Sequence, residues 1–295
     1  MKLHQLRDIT AIAEHGSLRA AARSLRLAQP ALTRSVHDLE HELGAALFER
    51  RSRGMTPTAV GAAFLKRARA IMNDIQRARE EAEQIGVAGA AHGTVVAGLS
   101  GAAHVAMLPR ALTRFRARYP DVQLRMIEGL YPTLESGLKD GSVDFYIGPK
   151  PERAASKELM VEKLFDNTRA IMARIGHPLA NATSLDELAE AEWVTTSITH
   201  RATEELGAVF ARKRLPPPRL VIQTQSALSV IMAVAYSDAL CMLPIQFAEF
   251  ELTKKALVQI RVDESLPASP IVLVRRAGLL LTPAAECFVD LLRGR

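Results

Sequence analysis

The sequence predicts an α/β molecule with an all-α N-terminal part, and three observations carry that prediction. Residues 1–57 place apolar side chains at helical spacing in short runs separated by turn residues. Residues 58–86 keep helical spacing with no Gly or Pro between Gly61 and Gly86. Residues 93–295 alternate short β-rich runs with helical stretches, the pattern of an α/β unit. The domains expected are therefore 1–57, a helix over 58–86, a small-residue hinge over 87–92, and an α/β part over 93–295.

The 295 residues are 48 % hydrophobic, enough to bury a core without disulfide staples. Only two cysteines occur, Cys241 and Cys287, which fits a reducing cytoplasm, and no Cys/His spacing reads as a metal site. No cofactor pattern is read. The N-terminus opens on an amphipathic pattern, unlike a signal peptide. The longest apolar stretch, Ala227 to Ile245, is broken by Ser229, Ser237 and Asp238, so it reads as a buried helix and strand and no membrane span is expected. Charge is unevenly spread. Residues 1–70 hold 12 Lys/Arg against 6 Asp/Glu, so the net charge of +6 sits in the first quarter of the chain. That is the footprint of a module that binds a polyanion, or of a solvated basic surface.

In that first quarter Leu3, Leu6, Ile9 and Ile12 share a helical face, Gly16 ends the helix, and Ser17 can cap the next. The second helix turns Leu18, Ala21, Ala22 and Leu25 inward. Pro30 begins a third helix, where a missing N–H costs nothing, and Gly44 closes it. Leu32, Val36, Leu39 and Leu43 form its buried stripe, leaving Gln29, Pro30, Thr33, Arg34, His37 and His41 on the outer face. Two helices joined by a short turn, the second presenting amide, hydroxyl and guanidinium groups, read as a helix-turn-helix whose Gln and Arg can address base edges of double-stranded DNA. A three-helix bundle with a polar surface is the plainer alternative.

Leu47 and Phe48, a basic turn with Gly54, and Thr56-Pro57 read as a two-stranded wing. Arg50, Arg51 and Arg53 would reach phosphates or a minor groove, or form a solvated loop. Beyond it, Val60, Phe64, Ala68, Ile71, Ile75, Ala78, Ala82 and Ile85 follow near-heptad spacing. One helix cannot bury such a seam alone, so it pairs with a second copy or packs on the chain's own C-terminal part. In the last two-thirds, strands are expected at Thr94–Leu99, Gln123–Glu128, Asp144–Ile147, Ile171–Ala173, Trp193–Thr195, Leu220–Gln223, Ala239–Leu243 and Ile271–Arg275. They predict a mostly parallel sheet in two small lobes, with a ligand outside the carboxyl ends of the strands.

These residues closely resemble the LysR-type transcriptional regulators over essentially the whole chain. The match is densest from Gly16-Ser17-Leu18-Arg19-Ala20-Ala21-Ala22 to Gln29-Pro30-Ala31-Leu32-Thr33-Arg34, and continues through Leu39-Glu40, Leu43-Gly44, Leu47-Phe48, Arg50, Thr56-Pro57 and Gly61. Looser matches follow at Leu108-Pro109, Tyr119-Pro120, Glu128-Gly129, His177-Pro178 and Leu243-Pro244. The resemblance implies a winged helix-turn-helix, a long linker helix, and a two-lobed sensor domain like a periplasmic binding protein. It implies a homodimer assembling into a homotetramer, and a small-molecule effector between the lobes. It makes Gln29, Pro30, Thr33 and Arg34 the DNA-reading positions, with Ser17 and Arg50 at phosphates or the wing. Two departures stand out. Ala28 replaces the Ser or Thr usual before Gln-Pro, so a cap or a phosphate hydrogen bond is expected to be missing. Ala235 to Ala239 replaces a glycine-rich turn.

At expected strand ends stand Ser100 and Gly101, Gly148 and Pro149, Thr196 with Ser197 and Thr199, and Gln225 with Ser226. Hydroxyl, amide and helix N-terminal groups suit an organic anion. Other readings are a small-molecule-binding protein without operator recognition, and a serine hydrolase using Ser100, since Gly98-Leu99-Ser100-Gly101-Ala102 approaches a nucleophile elbow. His37-Asp38-Leu39-Glu40-His41 matches a zinc-peptidase signature but falls on the outer face of the third helix with no third ligand. No catalytic constellation is read.

Overall fold

The computed structural model describes residues 1–51, 54–86, 92–153, 155–196, 201–224, 226–278 and 280–294. The N-terminal part follows its capping signals. Helix α1 (Leu3–His15) stops at Gly16, which takes the left-handed conformation, and the Ser17 hydroxyl accepts from the Ala20 N–H to start α2 (Leu18–Leu25). Helix α3 (Gln29–Leu43) carries Pro30 in its first turn and ends at left-handed Gly44. Its N-cap residue, Ala28, supplies no side-chain cap, as the departure at that position implied. Leu32, Val36 and Leu39 are buried against Leu6, Ile9, Ile12, Ala21 and Ala22. Leu43 was expected in that stripe; it is exposed, because it lies on the last turn of α3, past the core.

Strands β1 (Phe48–Arg51) and β2 (Gly54–Pro57) form an antiparallel hairpin. Helix α4 (Ala59–Gly86) follows without a break. The near-heptad seam divides. Ala68 is buried in the N-terminal core and Phe64 packs against it, because the first turns of α4 lie on α1. Val60, Ile71, Ala78, Ala82 and Ile85 stay exposed. A different, polar face of α4, not the seam, docks on the C-terminal part.

The remaining elements are β3 (Gly93–Leu99), α5 (Gly101–Arg118), β4 (Val122–Glu128), α6 (Tyr131–Asp140), β5 (Phe145–Pro149), β6 (Leu159–Arg174), β7 (Glu192–Thr196), α7 (Arg201–Arg212), β8 (Arg219–Thr224), α8 (Ala227–Ala235), β9 (Leu240–Pro244), α9 (Ile245–Glu249), α10 (Glu251–Lys254), β10 (Leu257–Ile260), β11 (Pro267–Arg276) and α11 (Pro283–Arg293). The strands run in the order β4-β3-β5-β11-β6-β9-β7-β8, with β10 beside β6. Every expected strand is present. The sheet is mixed, however, not mostly parallel: β5–β11, β11–β6, β6–β9 and β6–β10 are antiparallel. The cause is β6. Its first ten residues, Leu159 to Thr168, pair with β11, and from Arg169 it pairs with β9. One strand thus belongs to two lobes.

In the first lobe α5 and α11 cover one face of the sheet around Phe115, Phe145 and Phe288, and α6 covers the other around Tyr131 and Tyr146. In the second lobe α7 packs Leu206, Val209 and Phe210 on Trp193, while α8 and α9 cover the opposite face. Helix α8 is only half buried: Val230 and Val234 point inward, while Leu228 and Met232 are exposed. No helix among the described residues is long and apolar enough to cross a membrane.

Candidate nucleic-acid interface and interlobe cleft

Gln29, Pro30, Thr33, Arg34, His37 and Asp38 line one exposed concave strip on α3. Thr33 donates its hydroxyl to the Gln29 carbonyl, so the residue keeps only acceptor capacity outward. Arg34 is exposed and lines the same strip as Gln29. The strip is held rigidly from behind. Ser35 donates to buried Asp8, which also pairs with Arg7. Glu40 Oε1 accepts from the N–H groups of Leu47 and Phe48, fixing the base of the wing to α3. The Met55 N–H donates to the Gly16 carbonyl and ties the wing to the α1–α2 corner. Gly54 allows that approach: its φ is +124° and a Cβ would fall 2.3 Å from the Gly16 oxygen.

Ser17 therefore caps α2, and Arg50 is exposed on β1 beside the ion pair of Arg51 with Glu49. Arg53 lies outside the described residues. His37 and His41 are both exposed on α3.

Between the lobes a cavity of about 150 Å³ collects Ser100, Gly101, Pro149 and Thr196, so four of the expected ligand residues meet. Gly148 does not line it. A Cβ there would meet the Tyr146 hydroxyl at 2.1 Å and Ser100 Cβ at 2.9 Å, so Gly148 makes room for packing behind the cavity. Ser197, Thr199 and Gln225 lie outside the described residues. The Ser100 hydroxyl accepts from the Ala103 N–H and caps α5, and the His104 ring bonds the Ser100 carbonyl, not its hydroxyl. That arrangement gives the serine a helix-capping part.

Sequence reasoning missed the charged members of the cavity: Glu128, Arg169 and Glu205, together with buried Asn167. Arg169 forms an ion pair with Glu205 on α7, and Asn167 accepts from the Gln246 amide at 2.8 Å. Leu130, Met242, Leu243 and Phe247 supply apolar wall. The departure at Ala235 to Ala239 lies at the far end of β9 from the cavity, which takes Leu243 and Pro244. There the Ser237 hydroxyl donates to the Ala233 carbonyl and accepts from the Ala239 N–H, closing the turn that glycines would otherwise make.

The polar face of α4 docks on the first lobe. Arg77 pairs with buried Asp144 at 2.8 Å and donates to the Gly141 carbonyl. Asn73 donates to the Asp140 carbonyl, Asp74 pairs with Arg276 at 2.6 Å, and Gln84 accepts from the Ala284 N–H. Burial raises the Asp144 pKa above its ordinary value, against the lowering pull of Arg77 and of the Val96 N–H. Both cysteines are free thiols; burial pushes Cys241 up to about 12 and raises Cys287 as well, which keeps both protonated and poorly nucleophilic.

Residues 3–62 match the family model described as bacterial regulatory helix-turn-helix protein, lysR family, and residues 88–295 match the LysR substrate binding domain. The chain is 30 % identical to an SDS degradation transcriptional activation protein of a Pseudomonas species, over 98 % of this chain and 95 % of the relative. It is also 30 % identical to the RuBisCO operon transcriptional regulator of Allochromatium vinosum, over 98 % and 94 %. Full-length CbnR solved with its target DNA superposes with a TM-score of 0.68 at 22 % identity, covering 100 % of this chain and 99 % of that one, a likeness of fold.

Proposed function

Because the chain belongs to the LysR family of DNA-binding transcriptional regulators, we propose that it binds a pseudo-palindromic operator as a homodimer and is switched by an organic anion held between its lobes. The observation that carries this reading is the row of Gln29, Pro30, Thr33 and Arg34 exposed along α3, backed by a buried core. In this reading α3 enters the major groove, Gln29 and Arg34 address base edges, and Ser17, Arg50 and Arg53 meet phosphates or the adjacent minor groove.

The exposed seam residues Val60, Ile71 and Ile85 support a dimer through α4, which sets two copies of α3 against two half-sites. A second apolar surface, Val221 and Ile222 on β8 with Leu228 and Met232 on α8, supports further assembly to a homotetramer. Two free thiols of raised pKa fit work in a reducing cytoplasm without a redox role. In the cleft, Ser100 and Gly101 at the start of α5, with Pro149 and Thr196, hold the anion, while Gly148 stands behind them; Ser197 and Gln225 are assigned the same part from the sequence alone.

Arg34→Ala tests the DNA reading. It should cost about 1–3 kcal/mol on the operator and relax the preference at one base pair. Equal losses on operator and on random duplex, measured by fluorescence anisotropy, would remove Arg34 from base readout.

A further inference from the structure

Arg169 stands at the crossing point of the two lobes. Thr168 still pairs with Pro267 of β11, and Arg169 is the first residue of β6 to pair with β9. Its guanidinium is largely buried and is held through Nη2 by Glu205 on α7. Its Nε is buried with no protein acceptor among the described residues. A guanidinium is a planar fork of five N–H donors, matched to both oxygens of a carboxylate. The fork is therefore only partly used, in a cavity that also receives the N-terminus of α5.

We propose that Arg169 is the receptor for a small monocarboxylate and that Glu205 is its built-in competitor: the ligand takes the place of Glu205 on Arg169, and the release of Glu205 loosens α7. This rests on the reading of the cleft as the effector site. The exchange swaps one carboxylate for another, so the ion pair itself stays nearly balanced. The ligand's apolar body decides the outcome, because Leu130, Met242 and Phe247 wall the cavity. A cavity of roughly 150 Å³ accepts a body the size of a benzene ring. Glu128 also lines the cavity, its Oε1 3.4 Å from where a Cβ on Gly101 would be. A second carboxylate on the ligand would meet that negative charge, so the site selects single acids over diacids.

The release has a built-in reporter. Helix α7 packs Phe210 edge-on against Trp193 with ring centroids 5.5 Å apart, and Trp193 is the chain's only tryptophan. Benzoate is the probe, titrated into the full chain and followed by Trp193 emission and by calorimetry, with benzamide and phthalate as controls. Saturable binding is expected in the wild type. Glu205→Gln should bind benzoate about tenfold tighter, because the competitor no longer occupies the fork. Arg169→Gln should lose binding, benzamide should be silent, and phthalate should bind more weakly than benzoate. Should thermal melts show Arg169→Gln unfolded, Arg169→Lys replaces it; it keeps a point charge without the fork and should bind more weakly than wild type. No saturable binding in Glu205→Gln, no gain over the wild type, or undiminished binding in the Arg169 variant overturns the exchange. Selection of upstream DNA by the wild-type chain is measured separately. A chain that selects its DNA but fails these titrations loses the exchange at Arg169 alone, and one that does not select its DNA loses the regulator reading.

Discussion

Gly61 shows how little room separates α4 from the segment that leads into the wing. It lies in the first turn of α4, and a Cβ there would fall 1.9 Å from the Leu47 carbonyl oxygen. Leu47 in turn leads into the wing that Glu40 fixes to α3. Gly61→Ala must push α4 and the wing apart, and should cost about 1–3 kcal/mol by overpacking, read as a lowered Tm. Unchanged stability would mean that the contact relaxes freely. At this scale the sequence exposed the polar row of α3 clearly. Thr33 follows Gln29 by four residues and Arg34 follows Pro30 by four, so helical spacing sets the two pairs in adjacent rows outside the buried stripe of Leu32, Val36 and Leu39. Arg169 and Glu205 stayed hidden for the opposite reason. They are 36 residues apart on a strand and a helix, and each alone reads as an ordinary surface charge.

Among the elements, α4 divides its duties by face. Leu65 and Ala68 close the N-terminal core, Asn73, Asp74 and Arg77 grip the first lobe, and Ile71 and Ile85 remain outside. The heptad spacing revealed the apolar row. It did not reveal that Phe64 and Ala68 turn to the chain's own core, since that depends on α1 crossing beneath them. Ile71→Asp places a carboxylate in the proposed seam, where pairing would require its desolvation. The dimer Kd should rise about a hundredfold or more, read by sedimentation equilibrium. A variant as dimeric as the wild type would move the interface elsewhere. The long strand β6 was read only in its second half. Its first half carries Glu162 and Lys163 and shows no clean alternation, because it lies mostly exposed beside β11. Likewise β10 is four residues long, too short for a period-2 pattern to declare itself.

For the whole molecule, the contacts make α4 and the first lobe one body, with the second lobe joined through β6, β11 and the packing of α9 on α5. In the proposed reading, a ligand between the lobes changes the stance of the second lobe relative to the N-terminal part. Arg77→Met tests the coupling by stranding buried Asp144. Removing one partner of a buried pair should cost about 3–5 kcal/mol near neutral pH. The sign with pH follows from burial. It raises the folded-state pKa of Asp144, so the favourable contribution is full at low pH and fades as pH rises through that value. Without Arg77 the pKa rises further, so the penalty in Tm should grow as pH rises through the folded-state pKa of Asp144. A penalty shrinking with pH would contradict the assignment.

The central claim is sequence-specific DNA binding through α3 and the wing. Fluorescence anisotropy of the full chain with the DNA upstream of its own gene, against a scrambled duplex across a salt series, tests it most directly. The account predicts tight binding to the upstream duplex, weak binding to the scrambled one, and a steep loss of both as salt rises and counterions are no longer released with gain. Equal, weak binding to both duplexes at every salt concentration would contradict it and leave a small-molecule-binding protein with a basic module attached.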